Sequence, residues 1–282
     1  MSKKLLEPGL PRGFEDSFGK SLLIEKKIKE IIENNFLRYG YAEIKSSPFE
    51  YTENIGGLLT DDLNNFSKDI FTFDDKDKKI SLRFDLSAPL ARIVSEKYLE
   101  FAFPFRRFQI AEVFRNETSK TGRGRYRSFF QGDFDQIFLG KVPPQANSEI
   151  LQIICDTMLD LKFKKEQFKI NIFNRKIIDG FLNDLKIKDE NQKFKVLRAI
   201  DKFDRIDENF IDLLKKERVD PVSGDKIAGA NLSNDQATEV VEFLKLKDLK
   251  DLKLESKNEL QKEGVKELEE ILEILYEDKY LD

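Results

Sequence analysis

The chain has 282 residues, 40% hydrophobic and 36% charged, with a formal net charge of −4. That is enough apolar material for one large domain or a domain with a smaller companion, and no global basic field advertises a polyanion partner. It holds no histidine and one cysteine, Cys155, which excludes His-based acid–base chemistry, Ser-His-Asp triads, His-ligated metals and an internal disulfide framework within this chain. The N-terminal apolar run is too short for a signal peptide and no segment approaches transmembrane length, so a soluble cytoplasmic protein is expected.

Residues 10–14 form a Pro/Gly-containing lead-in. Asp16 or Ser17 then caps a helix with apolar positions at Ile24, Ile28, Ile31 and Ile32, ending near Tyr39-Gly40. Residues 41–49 read as a strand that meets Pro48. Residues 50–65, polar and containing Gly56-Gly57, read as loop. Residues 69–73 and 80–84 form a hairpin around the charged turn 74–77. Ser87 caps a further helix with Pro89 in its first turn and Leu90, Ile93 and Val94 on one face. Asp85 sits where strand hands over to helix, free either to face a pocket or to cap the helix itself.

Residues 108–114 and 126–134 flank a polar, glycine-bearing loop and predict a long β-hairpin. Arg115, Lys120, Arg123, Arg125 and Arg127 crowd into it, with Glu117 among them. Planar guanidinium groups suit phosphate, because each donates two parallel hydrogen bonds. The other reading of the same charges is a solvated basic hairpin paired with neighbouring carboxylates. Pro143-Pro144 starts a helix through Leu161, with Cys155 in its apolar run as a core thiol. Residues 168–173, FKINIF, alternate as a short strand, and Asn174 caps a helix through Leu182. From about Asn183 helical, highly charged pieces follow, broken at residues 219–229. Neither GxxxxGK[ST] nor GxGxxG occurs, so any use of ATP rests on another scaffold. The plan is α+β: an antiparallel sheet flanked by helices, with a mostly helical C-terminal portion.

The motifs resemble those of class II aminoacyl-tRNA synthetases, and most closely the histidyl-tRNA synthetase family. The first helix with YAEIKSSPFE is similar to motif 1, which builds the dimer interface. FRNE followed by Arg125-Tyr126-Arg127-Ser128-Phe129 fits motif 2, FRxE then a loop then RxxxF. LRFDLSAPLAR (residues 82–92), GRYRSFFQGDFD (124–135) and NRKIIDGFL (174–182) resemble the histidine family in its eukaryotic-like form. The resemblance is clear to about residue 182. It implies a catalytic-core part at 1–182 and a helical, insertion-like region at 183–282. That region either clasps the acceptor arm of tRNA or is a solvated bundle.

The resemblance implies ATP and Mg²⁺ use, histidine and tRNA(His) as substrates, and a homodimer. Arg115 would grip the α-phosphate and the substrate carboxylate, and it is the residue expected to be catalytic. Arg125 would hold the outer phosphates with Mg²⁺ bridging them, Glu117 would accept from the adenine amino group, and Phe129 would face the ring. Asp85, Leu86, Ser87, Gln131 and Asp135 would form the amino-acid subsite, the polar members accepting from the ammonium; no metal-ligating protein residue is implied. The family's RGLDYYTG-like stretch, motif 3 and anticodon domain are not found, so a partial chain, inactive alone, is expected. The competing readings are the regulatory subunit of ATP phosphoribosyltransferase, a synthetase-like paralogue, and another class II ligase.

Overall fold

A ten-residue strand on each side of a basic tip makes the element on which the N-terminal part is built. In the computed structural model, which describes residues 8–59, 69–116, 126–201, 203, 210–219, 226–227, 229–246 and 248–280, strands β5 (Phe105–Phe114) and β6 (Ser128–Ile137) pair antiparallel from Phe105↔Ile137 to Phe114↔Ser128. The hairpin expected from sequence is therefore present and longer than the apolar flanks alone indicated. β1 (Ala42–Glu43) adds to it in parallel, Ala42 opposite Arg107 and Glu43 opposite Phe108, giving the sheet order β1-β5-β6.

Helices α1 (Lys20–Arg38) and α4 (Pro144–Asp160) cover one face of this sheet. Phe36 of α1 meets Phe108 and Phe134 with ring centroids 5.2 and 4.7 Å apart, and Ile153 of α4 closes the same cluster. Gln136 Nε2 donates to the Tyr41 hydroxyl at 2.6 Å and to Glu149 at 2.8 Å, and Arg106 pairs with Glu149. Burial, partly offset by the Gln136 bond, pushes the Tyr41 phenol up to about 12. The face is thus braced by aromatic packing and a polar network together. Burial also raises the Cys155 thiol, consistent with an inert thiol on α4.

Several local readings change. The α1 helix starts behind Gly19, at φ 64°, without a side-chain cap, so neither Asp16 nor Ser17 caps it; glycine takes that left-handed φ without a Cβ clash. Ile24 and Ile28 lie outward and exposed beside Leu23, while Ile32 and Phe36 face the core. Of the expected strand 41–49 only β1 pairs in this sheet; residues 44–48, ending on Pro48 with no N–H to donate, form no strand, and β2 (Phe49–Tyr51) follows in a second sheet. That sheet, ordered β2-β4-β3, contains the expected charged hairpin, β3 (Thr72–Asp75) and β4 (Lys78–Leu82), turning at Lys76 with φ 55°. Thr52–Leu59 is a helix, α2, and not loop: Ile55, 2% exposed, clusters with Ile70, and that burial overrides the low helix propensity of Gly56-Gly57. Residues 168–173 form no ladder with the described residues, and alternation without a partner edge makes no strand.

The chain divides into compact units Met1–Lys169 and Ile170–Asp282, ahead of the 182/183 division expected from motifs. The reason is α5 (Arg175–Asp184), capped by Asn174 accepting from the Lys176 amide at 2.9 Å. It packs on α10 (Glu259–Glu277), where a Cβ on Gly264 would come within 2.8 Å of Ile177 Cγ1 and 3.1 Å of the Ile177 amide. Around this pair lie α6 (Glu190–Ile200), α7 (Phe210–Lys215), α8 (Asn234–Leu244) and α9 (Leu249–Glu255). Their shared core includes Ile177, Leu182, Val196, Leu213, Val240 and Val265. β7 (Arg218–Val219) and β8 (Lys226–Ile227) pair as a short ribbon.

Candidate active site

Because side chains alternate along a strand, burying Phe108, Ile110 and Phe134 on the helical side leaves the other parity of the hairpin for chemistry. Directly paired residues there are Arg107 with Asp135, Gln109 with Asp133, Ala111 with Gln131, and Val113 with Phe129. One turn-ward step on, the Arg115 amide donates to the Arg127 carbonyl at 2.8 Å. Arg115, Phe129, Gln131, Asp133 and Asp135 therefore share one face, cationic at the tip end and acidic at the base. From Phe129 to Asp135 the face runs about 20 Å.

At the tip end, Arg115 Nε donates to the Phe84 carbonyl at 3.3 Å, and its guanidinium carbon lies 4.5 Å from the Phe84 ring and 5.0 Å from the Phe129 ring. Arg115 is thus held by two aromatic faces, a favourable cation–π setting. Just before it, the Phe114 amide donates to the Arg83 carbonyl at 3.0 Å. Arg83 itself, 7% exposed, donates to the carbonyls of Glu112 at 2.7 Å and Ser46 at 3.2 Å, so it ties three segments together. Burial lowers its pKa, opposed by Glu112. Glu117, Lys120, Arg123 and Arg125 lie outside the described residues.

At the base, Arg107 is fully buried. Its Nη2 lies 2.9 Å from Asp133 Oδ2, pairs with Asp135, and sits 3.4 Å from the Leu86 carbonyl. The helix α3 (Ser87–Lys97) begins beside this group; the cap expected from Ser87 is made by Asp85, for which capping was one of two open readings. Asp85 Oδ1 accepts from the Ala88 amide at 3.0 Å, so Asp85 caps the helix, while Ser87 Oγ reaches toward Asp133 at 3.5 Å. The cause is register: Asp85 lies three residues before the amide it accepts from, the reach of a capping side chain. Capping uses one carboxylate oxygen of Asp85. Leu86 is buried between them. Burial raises the Asp135 carboxyl above the usual carboxylate range; Arg107 opposes that shift, and Asp133 and Asp85 add to it. Carboxylates gathered in this way favour a cation among them.

Four of the expected site residues (Asp85, Leu86, Ser87, Asp135) thus gather around Arg107; Gln131 shares the face of Asp135, and Arg115 and Phe129 meet at the other end. Sequence reasoning missed Arg107, Asp133 and the Phe84 ring. Period-two spacing in RRFQ and QGDFD is the signal that places Arg107 and Asp133 on the face of Gln131 and Asp135. Among the described residues no group of three or more His, Cys, Asp or Glu side chains is arranged for a metal ion.

A family model for histidyl-tRNA synthetase matches residues 13–221. The histidine–tRNA ligase of Pelagibacter ubique (strain HTCC1062) is 50% identical over 281 residues, covering 98% of this chain and 59% of that protein. The chain thus spans little more than half the length of this curated relative. Among solved structures, a histidyl-tRNA synthetase from Nostoc sp. PCC 7120 superposes with a TM-score of 0.71 at 23% identity, covering 94% of this chain and 56% of that one. A protein from Bacillus halodurans C described as an ATP phosphoribosyltransferase regulatory subunit/histidyl-tRNA synthetase gives 0.74 at 19% identity, covering 97% and 66%. These two likenesses establish the class II-like fold.

Proposed function

The chain belongs to the histidyl-tRNA synthetase family, and on that premise we propose that it carries the motif 1 and motif 2 part of a histidine–tRNA ligase. The observation that carries this reading is the polarised hairpin face, with Arg115 between two aromatic rings at one end and carboxylates around Arg107 at the other. An amino acid and ATP have matching polarity: an ammonium at one end, phosphates at the other, and reacting carboxylate and α-phosphate between.

In the reaction a histidine carboxylate oxygen attacks the α-phosphorus, the bond to the bridging oxygen of the β-phosphate breaks, and pyrophosphate leaves. The adenylate then passes its acyl group to tRNA(His). The carboxylate is already ionised, so activation needs no general base, and the absence of histidine from this chain is no obstacle to the step. Arg115 stabilises charge growing on the α-phosphate more than charge in the ground state, which is what lowers the barrier. Phe129 offers a face to adenine, Glu117 accepts from its amino group, and Arg125 holds the outer phosphates. Asp85, Ser87, Gln131 and Asp135 accept from the ammonium, with Leu86 setting the spacing of the first two. Mg²⁺ would arrive on the ATP phosphates, which supply oxygen ligands of the kind it prefers.

The exposed stripe Leu23, Ile24 and Ile28 on α1 supports a homodimer through the motif 1 region. The helical region 183–282 is proposed as the insertion that meets the tRNA acceptor arm. No helix among the described residues is long and apolar enough to cross a membrane, and a cytoplasmic site of action fits the proposed substrates. The regulatory-subunit reading shares the fold, but 50% identity to a protein named as a ligase favours the ligase. Thermal-shift titration of the full-length protein with individual amino acids tests the assignment: histidine should stabilise it most, and a larger shift with another amino acid would reject it.

A further inference from the structure

Arg107 lies outside the ATP and amino-acid residues assigned above, yet it touches both segments that supply the ammonium acceptors. We propose that Arg107 is the positioning residue of the ammonium subsite, holding Asp133 and Asp135 of β6 and the 85–87 segment in one fixed arrangement. The proposal rests on the ligase reading of this site and deepens it.

The geometry has three parts. Arg107 is completely buried, whereas the Asp133 and Asp135 side chains keep 20% and 34% of their surface. The guanidinium therefore lies deeper than the two carboxylates, which stay partly open. Through the same Nη2 it meets the Leu86 carbonyl, so strand β6 and the start of α3 are referenced to one group. Finally, Ser87 bonds Asp133, which carries the link on to an expected ammonium acceptor.

Charge explains why such a group is needed. Asp133, Asp135 and Asp85 interact as like charges around the Asp135 carboxyl, and the Arg107 guanidinium faces them. Without it, two carboxylates two residues apart on one face of β6 would turn apart or take up a proton, and either response spoils an ammonium site. With it, the cluster keeps net negative charge and a defined shape. A purely stabilising role is a poor account of the same residue. Its Nε and Nη1 have no hydrogen-bond partner among the described residues, and a buried, incompletely satisfied ion is costly where an apolar side chain would fill the space.

The test compares histidine with 3-(imidazol-4-yl)propionate, which keeps ring and carboxylate and lacks only the amine. Dissociation constants for both are measured by calorimetry on the full-length protein and on Arg107→Met and Arg107→Lys. The wild type should bind histidine more tightly than the analogue. In Arg107→Met that preference should fall about tenfold or more, the scale of a lost hydrogen bond to a charged group, with analogue and ATP affinity held within a few-fold. Arg107→Lys keeps the buried charge but not the fork, and should lose part of the preference; it decides the matter if the Met variant does not fold. A preference unchanged in the folded variants, with both ligands weakened in parallel or neither, would overturn the positioning role alone. A wild type that binds no histidine would overturn the ligase reading and this inference with it.

Discussion

Replacing Arg115 with alanine separates what this side chain does for the fold from what it does for chemistry. In the structure it makes two ring contacts, at 4.5 and 5.0 Å, and one hydrogen bond to the Phe84 carbonyl at 3.3 Å. Half-buried cation–π contacts are worth about 0.5–1 kcal/mol each, and a charged hydrogen bond of that length adds on the order of 1 kcal/mol. The variant should therefore lose about 2 kcal/mol of stability, which leaves a protein of ordinary stability, roughly 5–15 kcal/mol, folded. The rate should suffer far more. Removing one fixed donor from a developing oxyanion typically costs about 10²–10³ in kcat. Unfolding on the scale of 2 kcal/mol is too small to produce that loss, so the two effects are separable. Histidine-dependent ATP–pyrophosphate exchange in the full-length protein should drop by at least a hundredfold, with the KM for histidine changed only a few-fold. A variant within threefold of the wild-type rate would refute the role of Arg115 in the transition state.

Asp135→Asn should reveal a site held against the preference of the fold. Asp135 binds its proton more tightly folded than unfolded, so its contribution to stability is full below the ordinary carboxylate value, about 3.9, and is lost as pH rises through the raised one. The asparagine variant should melt above the wild type at neutral pH, and the gap should close as pH falls toward about 4. A variant that melts lower at neutral pH would mean that the Arg107 attraction outweighs burial. The same variant should bind histidine more weakly. In the helical unit, Gly264→Ala would push a Cβ to 2.8 Å from Ile177 Cγ1 and 3.1 Å from the Ile177 amide. The overpacking, partly offset by alanine's better helix propensity, should cost about 1–2 kcal/mol and raise hydrogen exchange in α5 and α10; unchanged exchange there would contradict the close helix approach.

What the sequence disclosed followed from signals that are local. The β5–β6 hairpin was legible because its flanks are apolar and its tip carries Gly122 and Gly124. The α4 start was legible from Pro143-Pro144, and the α5 start from the Asn174 cap, since proline and a capping amide act within one turn. What it hid depends on partners far along the chain. Helix α2 contains two glycines that read as loop, and only burial of Ile55 against Ile70 makes it a helix. The FKINIF stretch has strand alternation but no edge to pair with. At the site, Asp85 and Ser87 were both expected as acceptors, yet which one caps α3 is set by their two-residue offset along the chain, which puts the Ala88 amide within reach of Asp85. Arg107 escaped notice because Arg106-Arg107 lies outside every motif the sequence offers. Its meaning appears only when the ladder sets it opposite Asp135.

The central claim is that the polarised hairpin face serves to join histidine to AMP. Its most direct test is ATP–pyrophosphate exchange by the full-length protein with each amino acid supplied singly, before any tRNA is added. Exchange that depends on histidine and is near background with the others is the expected result. Exchange driven by a different amino acid, or none with any, would contradict the account.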